Sequence, residues 1–149
     1  MLSFLRRRSA KANAAAALLF THVEMQLREI GQLDDNSVSP AAQSFWLHDY
    51  MTGLVTAAKR EGHMGRAEGR RAFTEFMVNV MGVPPSAAQS CYATSRGHCR
   101  SNPREEAFLD GIADAEALLS GRRPQQPIIM RFRPQQNVEA AADRPFRSP

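Results

Sequence analysis

Two apolar runs at helical spacing lie between residues 45 and 82, and only Glu61-Gly62-His63-Met64-Gly65 separates them. So short a connection between helices of that length makes them antiparallel neighbours. Most of the large hydrophobic side chains sit in these runs or on faces that can pack against them. No run of six residues alternates with period two in Val, Ile, Thr or Tyr, so strand signals are scarce. The fold class that follows is all-α, a single small helical bundle of about five helices. At 149 residues, 43% of them hydrophobic, the chain can build one core and is short for two.

The expected domain spans residues 13–121. Its first helix covers 13–30, with Leu19, Val23, Leu27 and Ile30 on one face and Gly31 as a left-handed stop. Polar residues 32–39 form a loop. Ser39 caps a second helix with Pro40 at its first position, running to residue 60. Leu47, Met51, Leu54, Val55 and Ala58 share its buried face, and Trp46 is expected in the core or at its boundary rather than as an exposed partner anchor. The third helix, 66–81, buries Phe73, Phe76, Met77 and Val80; Gly82 and Pro84-Pro85 end it. A short fourth helix covers 85–95 and stops near Gly97. Asn102-Pro103-Arg104-Glu105 starts a fifth that presents Phe108, Ile112, Ala115 and Leu119 and ends at Gly121.

Charge is distributed unevenly. Residues 1–11 carry +4, residues 12–121 carry −4, and residues 122–149 carry +4. Residues 1–12 therefore read as a basic N-terminal extension. Residues 122–149 hold five of the nine prolines and read as an extended or disordered tail rich in Pro, Arg and Gln. In that tail Arg123-Pro124-Gln125-Gln126 recurs as Arg133-Pro134-Gln135-Gln136. Between the repeats lies an apolar segment, Ile128, Ile129, Met130, Arg131 and Phe132. Flanking prolines suit an isolated strand or a polyproline stretch, which docks either on its own body or on a partner chain. No stretch of about 20 apolar residues occurs, so no spanning helix is expected. The Arg-rich start has the outline of a signal peptide or of an organelle presequence, and residues 1–5 read as a frayed end that can lie on a membrane surface or a partner. Its short Ala-rich run continues as helix, which favours an uncleaved cytoplasmic protein.

Chemistry is sparsely signalled. Cys91, His98, Cys99 and His63 form the one set resembling metal ligands. The two cysteines stand eight apart and His98 adjoins Cys99, a spacing unlike paired zinc ligands, so no metal and no cofactor are expected. Free thiols are the simpler reading, with a disulfide reserved for an oxidising compartment. A Cys–His pair could serve as nucleophile and base, but no orienting acid can be named, and enzyme activity is not expected. Asp110 and Asp114 share a helix face and read as solvated surface. Arg66, Arg70 and Arg71 flank the turn between the second and third helices, where they can contact phosphate or another anion. Glu68 and Glu75 interrupt that basic surface.

Residues Leu54-Val55-Thr56-Ala57-Ala58 through Gly62-His63-Met64, then 73–81 with Gly82-Val83-Pro84, resemble the TerB-like (tellurite-resistance) helical domain. The resemblance covers about forty residues. It implies a helical bundle that serves as a sensing or scaffolding module. Glu61 precedes Gly62, but the family's Asp and early acidic pair are absent, so its metal binding is not carried over. The leading expectation is a non-catalytic protein-interaction or adaptor module, with a regulatory role, that docks on a larger assembly through Ile128–Phe132. The alternative is a small nucleic-acid-associated regulator using the basic helix-turn-helix-like region and the basic arms.

Overall fold

A computed structural model describes residues 2–34 and 40–132, with side chains from Ser9 onward. All regular structure among them is helical. The order is α1 (Leu2–Glu29), a 3-10 turn (Pro40–Gln43), α2 (Phe45–Arg60), α3 (Arg66–Asn79), α4 (Pro85–Ser101) and α5 (Glu106–Leu119). A further helical segment covers 127–132.

Helix α2 is the centre of the bundle. Leu47, Tyr50, Met51, Leu54, Val55 and Ala58 are fully buried, and α3, α4 and α5 all pack on it. Helix α1 lies against α3 and α5. Its face of Leu19, Val23, Leu27 and Ile30 is buried as the periodicity requires, and Phe20 meets Phe76 with ring centroids 5.2 Å apart. Phe73, Phe76 and Met77 of α3 fill the same core.

The pairing of α2 with α5 rests on two glycines. A Cβ on Gly111 would collide with the Tyr50 carbonyl oxygen and stand 3.0 Å from the Gly53 Cα. One on Gly53 would collide with the Phe108 carbonyl oxygen. With neither Cβ present, the two backbones touch directly. One turn away the Tyr50 hydroxyl donates to Asp114 Oδ2 at 2.6 Å, which fixes the antiparallel register.

Several boundaries differ from the sequence expectation. Helix α1 begins at Leu2, inside the expected N-terminal extension, because Ala and Arg are strong helix formers. From Ser9 onward, its first buried residue is Ala12. Helix α2 begins at Phe45 instead of residue 40, because the Ser44 hydroxyl accepts the Leu47 N–H and caps the start there. Ser39, the expected cap, lies outside the described residues. Helix α4 does not stop near Gly97 but runs to Ser101, because Tyr92, Ser95 and Cys99 bury a face that spans the glycine. That packing outweighs the roughly 1 kcal/mol propensity cost of glycine. Asn102 does not start α5. Its side chain donates to the His98 carbonyl and closes α4, and α5 starts at Glu106. After α2, Gly62 (φ 77°) lets the His63 N–H reach the Ala58 carbonyl at 2.9 Å, and Gly31 and Gly121 close α1 and α5 in the same way.

The tail needs a larger correction. Residues 127–132 are helical, neither extended nor strand-like, and Ile128 and Ile129 are buried in the chain's own core. Pro127 starts the turn. The Gln26 side-chain oxygen accepts the N–H groups of Ile128 (3.0 Å) and Ile129 (3.4 Å), capping it from about a hundred residues away. Gln125 N–H donates to Asp114 Oδ1 at 2.9 Å. Leaving two buried N–H groups without an acceptor costs about 1–3 kcal/mol each, so Gln26 is a strong determinant of the segment's position. The second Arg-Pro-Gln-Gln copy, at 133–136, and the rest of the tail lie outside the described residues.

Gly111→Ala is expected to lower the free energy of unfolding by roughly 3 kcal/mol, because backbone cannot yield as a side chain does. Gly97→Ala, where an added Cβ meets open space, should raise it by roughly 0.5–1 kcal/mol. Urea denaturation of both variants checks this; a neutral Gly111→Ala would contradict the close-contact account.

Candidate functional site

Two surfaces carry polar side chains that the core does not use. The first is basic. Arg66, Arg70 and Arg71 project from α3, Lys59 and Arg60 close α2, and Arg96 and Arg100 come from the part of α4 the sequence reading left out. A cleft of about 310 Å³ is lined by Arg66, Ala67, Arg70 and Arg96. A second, of about 290 Å³, holds Lys59, Arg60, Arg96 and Arg100. Burial pushes the Lys59 ammonium below its usual pKa, and the charges of Arg96, Arg66, Arg100 and Arg60 push it further. Among the described residues no ion pair joins any of these seven cations to a carboxylate. Arg66, Arg70 and Arg71, expected as anion contacts, are therefore part of a larger positive face. Glu75 stands beside Arg70 and Arg71 in a third cleft on this side.

The second surface is a cavity of about 620 Å³ between α2, α4 and the 127–132 segment. Its apolar wall is Phe45 and Trp46. Trp46 stacks on Tyr50, meets Phe132 edge-on and carries the Arg131 guanidinium 5.4 Å from its ring centre. Trp46 is thus a boundary residue, as expected. The cavity's polar wall is Asp49, Ser95, His98 and Glu105. The Ser95 hydroxyl donates to Asp49 Oδ1 at 2.7 Å, and Thr52 supplies Ser95 with its own proton at 2.7 Å. His98 Nε2 stands 3.6 Å from Asp49 Oδ2 and 3.7 Å from Glu105 Oε2.

The five residues expected to meet a partner divide. Ile128 and Ile129 belong to the core, Phe132 is half-buried against Trp46, and Met130 and Arg131 face outward, with Arg131 lining the cavity. Both cysteines are free thiols on α4. Burial pushes the Cys91 thiol up; burial, with the Asp49 charge, pushes Cys99 up to about 12. Neither is poised as a thiolate nucleophile. Asp114, read as solvated surface, is buried. Burial raises its pKa, but the His22 ring 3.5 Å away and hydrogen bonds from Tyr50 and the Gln125 amide outweigh that and hold the carboxyl below its ordinary value. Asp49 and Glu105 were not identified from sequence as partners of His98. The signal that could have found them was the continued burial period through Ser95 and Cys99, which puts His98 on the α2-facing side of α4.

No described helix is long and apolar enough to cross a membrane. Comparisons with protein-family models, with curated proteins and with solved structures find no match.

Burial lowers the pKa of His48 in the folded chain, against smaller raising effects of its 2.7 Å hydrogen bond to the Ala42 carbonyl and of the Asp49 charge. Below the unfolded value of about 6.5, the unfolded chain takes up the proton more readily than the folded one. His48 therefore stabilises the fold less as pH falls from 7 to 5. Thermal melts across that window should show Tm falling with acid, with a shallower fall in His48→Gln. Equal slopes in the two proteins would refute the assignment.

Proposed function

We infer that this chain is a non-catalytic, regulatory interaction module acting in the cytoplasm, and that its partner is the phosphate backbone of a nucleic acid. The observation that supports this is the convergence of Arg60, Arg66, Arg96 and Arg100 on Lys59, with no ion pair from any of them to a carboxylate among the described residues. Clustered like charges cost stability in the free protein, and a polyanion recovers that cost. The clefts between the arginines suit phosphate oxygens, which guanidinium groups bind in a bidentate fashion. The resemblance to TerB-like scaffolding modules is compatible with this role. The reading in which Ile128–Phe132 docks on another protein is less favoured, because Ile128 and Ile129 are occupied in the core. Met130 and Arg131 are what that reading has left.

Fluorescence anisotropy with labelled duplex DNA and single-stranded RNA, over a salt series, tests the proposal. Three to five phosphate contacts predict a log–log salt slope of roughly −3 to −5 on duplex DNA, somewhat less on a single strand. Charge reversal at Arg70 and Arg96 together should weaken binding at least about tenfold without changing the helical content. Absence of binding at low salt, or binding unchanged by the reversal, would overturn it. Binding to anionic vesicles but not to nucleic acid would move the same face to a membrane role.

A further inference from the structure

The geometry points to a divalent transition-metal site, with zinc as its first candidate, formed by Asp49 of α2, His98 of α4 and Glu105 just before α5. One ligand atom from each lies within 4.8 Å of the other two. The two carboxylates and the imidazole come from three separate elements and meet at one wall of the cavity.

Their separations suit a cation better than a direct contact. A charge-assisted hydrogen bond from His98 would close to about 2.7–2.9 Å. The observed distances are 3.6 Å to Asp49 Oδ2 and 3.7 Å to Glu105 Oε2. Around a tetrahedral ion with bonds of about 2.0–2.1 Å, neighbouring ligand atoms stand about 3.3–3.5 Å apart. The two edges that meet at His98 are thus close to those of such a coordination shell, and the Asp49–Glu105 edge lies within 4.8 Å.

The Asp49 carboxylate supplies a second observation. Its side chain is only 9% exposed. Oδ1 is held by Ser95, which Thr52 backs in turn; the Cys99 thiol also reaches this carboxylate, and Oδ2 faces His98 Nε2 at 3.6 Å. A buried carboxylate with one oxygen fixed from behind and the other turned to an open cavity is a costly arrangement unless a cation meets it. The Thr52–Ser95–Asp49 chain has the form of an outer shell that orients a ligand. His98 and Glu105 are each 45% exposed and free to adjust by a few tenths of an ångström.

Ligand chemistry selects the ion. One imidazole with two carboxylates suits zinc and its first-row neighbours, while calcium wants six to eight oxygens. Two negative charges and a neutral ring balance a 2+ ion. Three protein ligands leave a fourth position, and it faces the cavity, where a water or a small donor molecule would complete the shell.

The test is metal binding to the full chain. Isothermal titration with Zn²⁺ and elemental analysis after dialysis should give one equivalent per chain. Cobalt substitution should give the visible absorption bands of a four-coordinate N/O site. Glu105→Gln, at a half-exposed loop position, and His98→Ala should each weaken zinc binding at least about tenfold with circular dichroism unchanged. His63→Ala, on a different surface, should leave it unaltered. Failure of the wild-type chain to bind Zn²⁺ or Co²⁺ at micromolar concentration would overturn the site. So would wild-type affinity in both Glu105→Gln and His98→Ala.

Discussion

The direct backbone contact between Gly53 and Gly111 is the constraint on which the rest of this bundle depends. Two helices normally stand 8–10 Å apart because side chains keep them there. Removing both Cβ atoms at the crossing lets α2 and α5 approach until carbonyl oxygens and Cα atoms touch. The close approach brings the Tyr50 hydroxyl to Asp114 and makes that buried hydrogen bond short. It also carries the start of α5 toward α4, so that Glu105 comes opposite His98. Asp49 lies one turn before Gly53 on the same helix and completes that corner. The cavity's polar wall is therefore a consequence of the crossing.

A second consequence is the buried polar network around Asp114. Its carboxylate accepts from Tyr50 and from the Gln125 amide, and His22 Nε2 lies 3.5 Å away. Gln26 Nε2 is 2.9 Å from His22 Nε2, while Gln26 Oε1 holds the Ile128 and Ile129 amides. The network joins α1, α2, α5 and the 127–132 segment through satisfied polar groups, which is the condition under which buried polarity rigidifies a fold. It places Arg131 over Trp46 and so supplies the third side of the cavity. The basic face has the opposite character. It is formed where α2 ends, α3 begins and α4 continues, at the edge of the core, and the charges of Arg96, Arg66, Arg100 and Arg60 bear on Lys59.

Local chemistry made much of this legible and nonlocal contacts hid the rest. The face Leu19–Val23–Leu27–Ile30, the turn at Gly62 and the stop at Gly121 follow from period and glycine alone. The same reasoning reads Gly97 as a helix stop and passes over Gly53 and Gly111. It has no means of distinguishing Gly97, which faces open space, from Gly111, which faces another backbone. Taking Gly97 as a stop removed Arg96, Arg100 and His98 from the helix that positions them. Asp114 looked like surface because nothing nearby in sequence announces Tyr50, 64 residues away. Ile128–Phe132 looked extended because its prolines are local and its cap, Gln26, is not.

Native-state amide hydrogen exchange, followed residue by residue, tests the central claim most directly. If the glycine crossing holds the bundle together, amides at 50–57 of α2 and 108–115 of α5 exchange only through global unfolding. They should then share one free energy, the highest in the chain. The α4 amides beyond Gly97, which pack on α2 by one face, should open earlier. Exchange of α5 through a local opening of lower free energy than α4 would contradict the account and place the organising contact elsewhere.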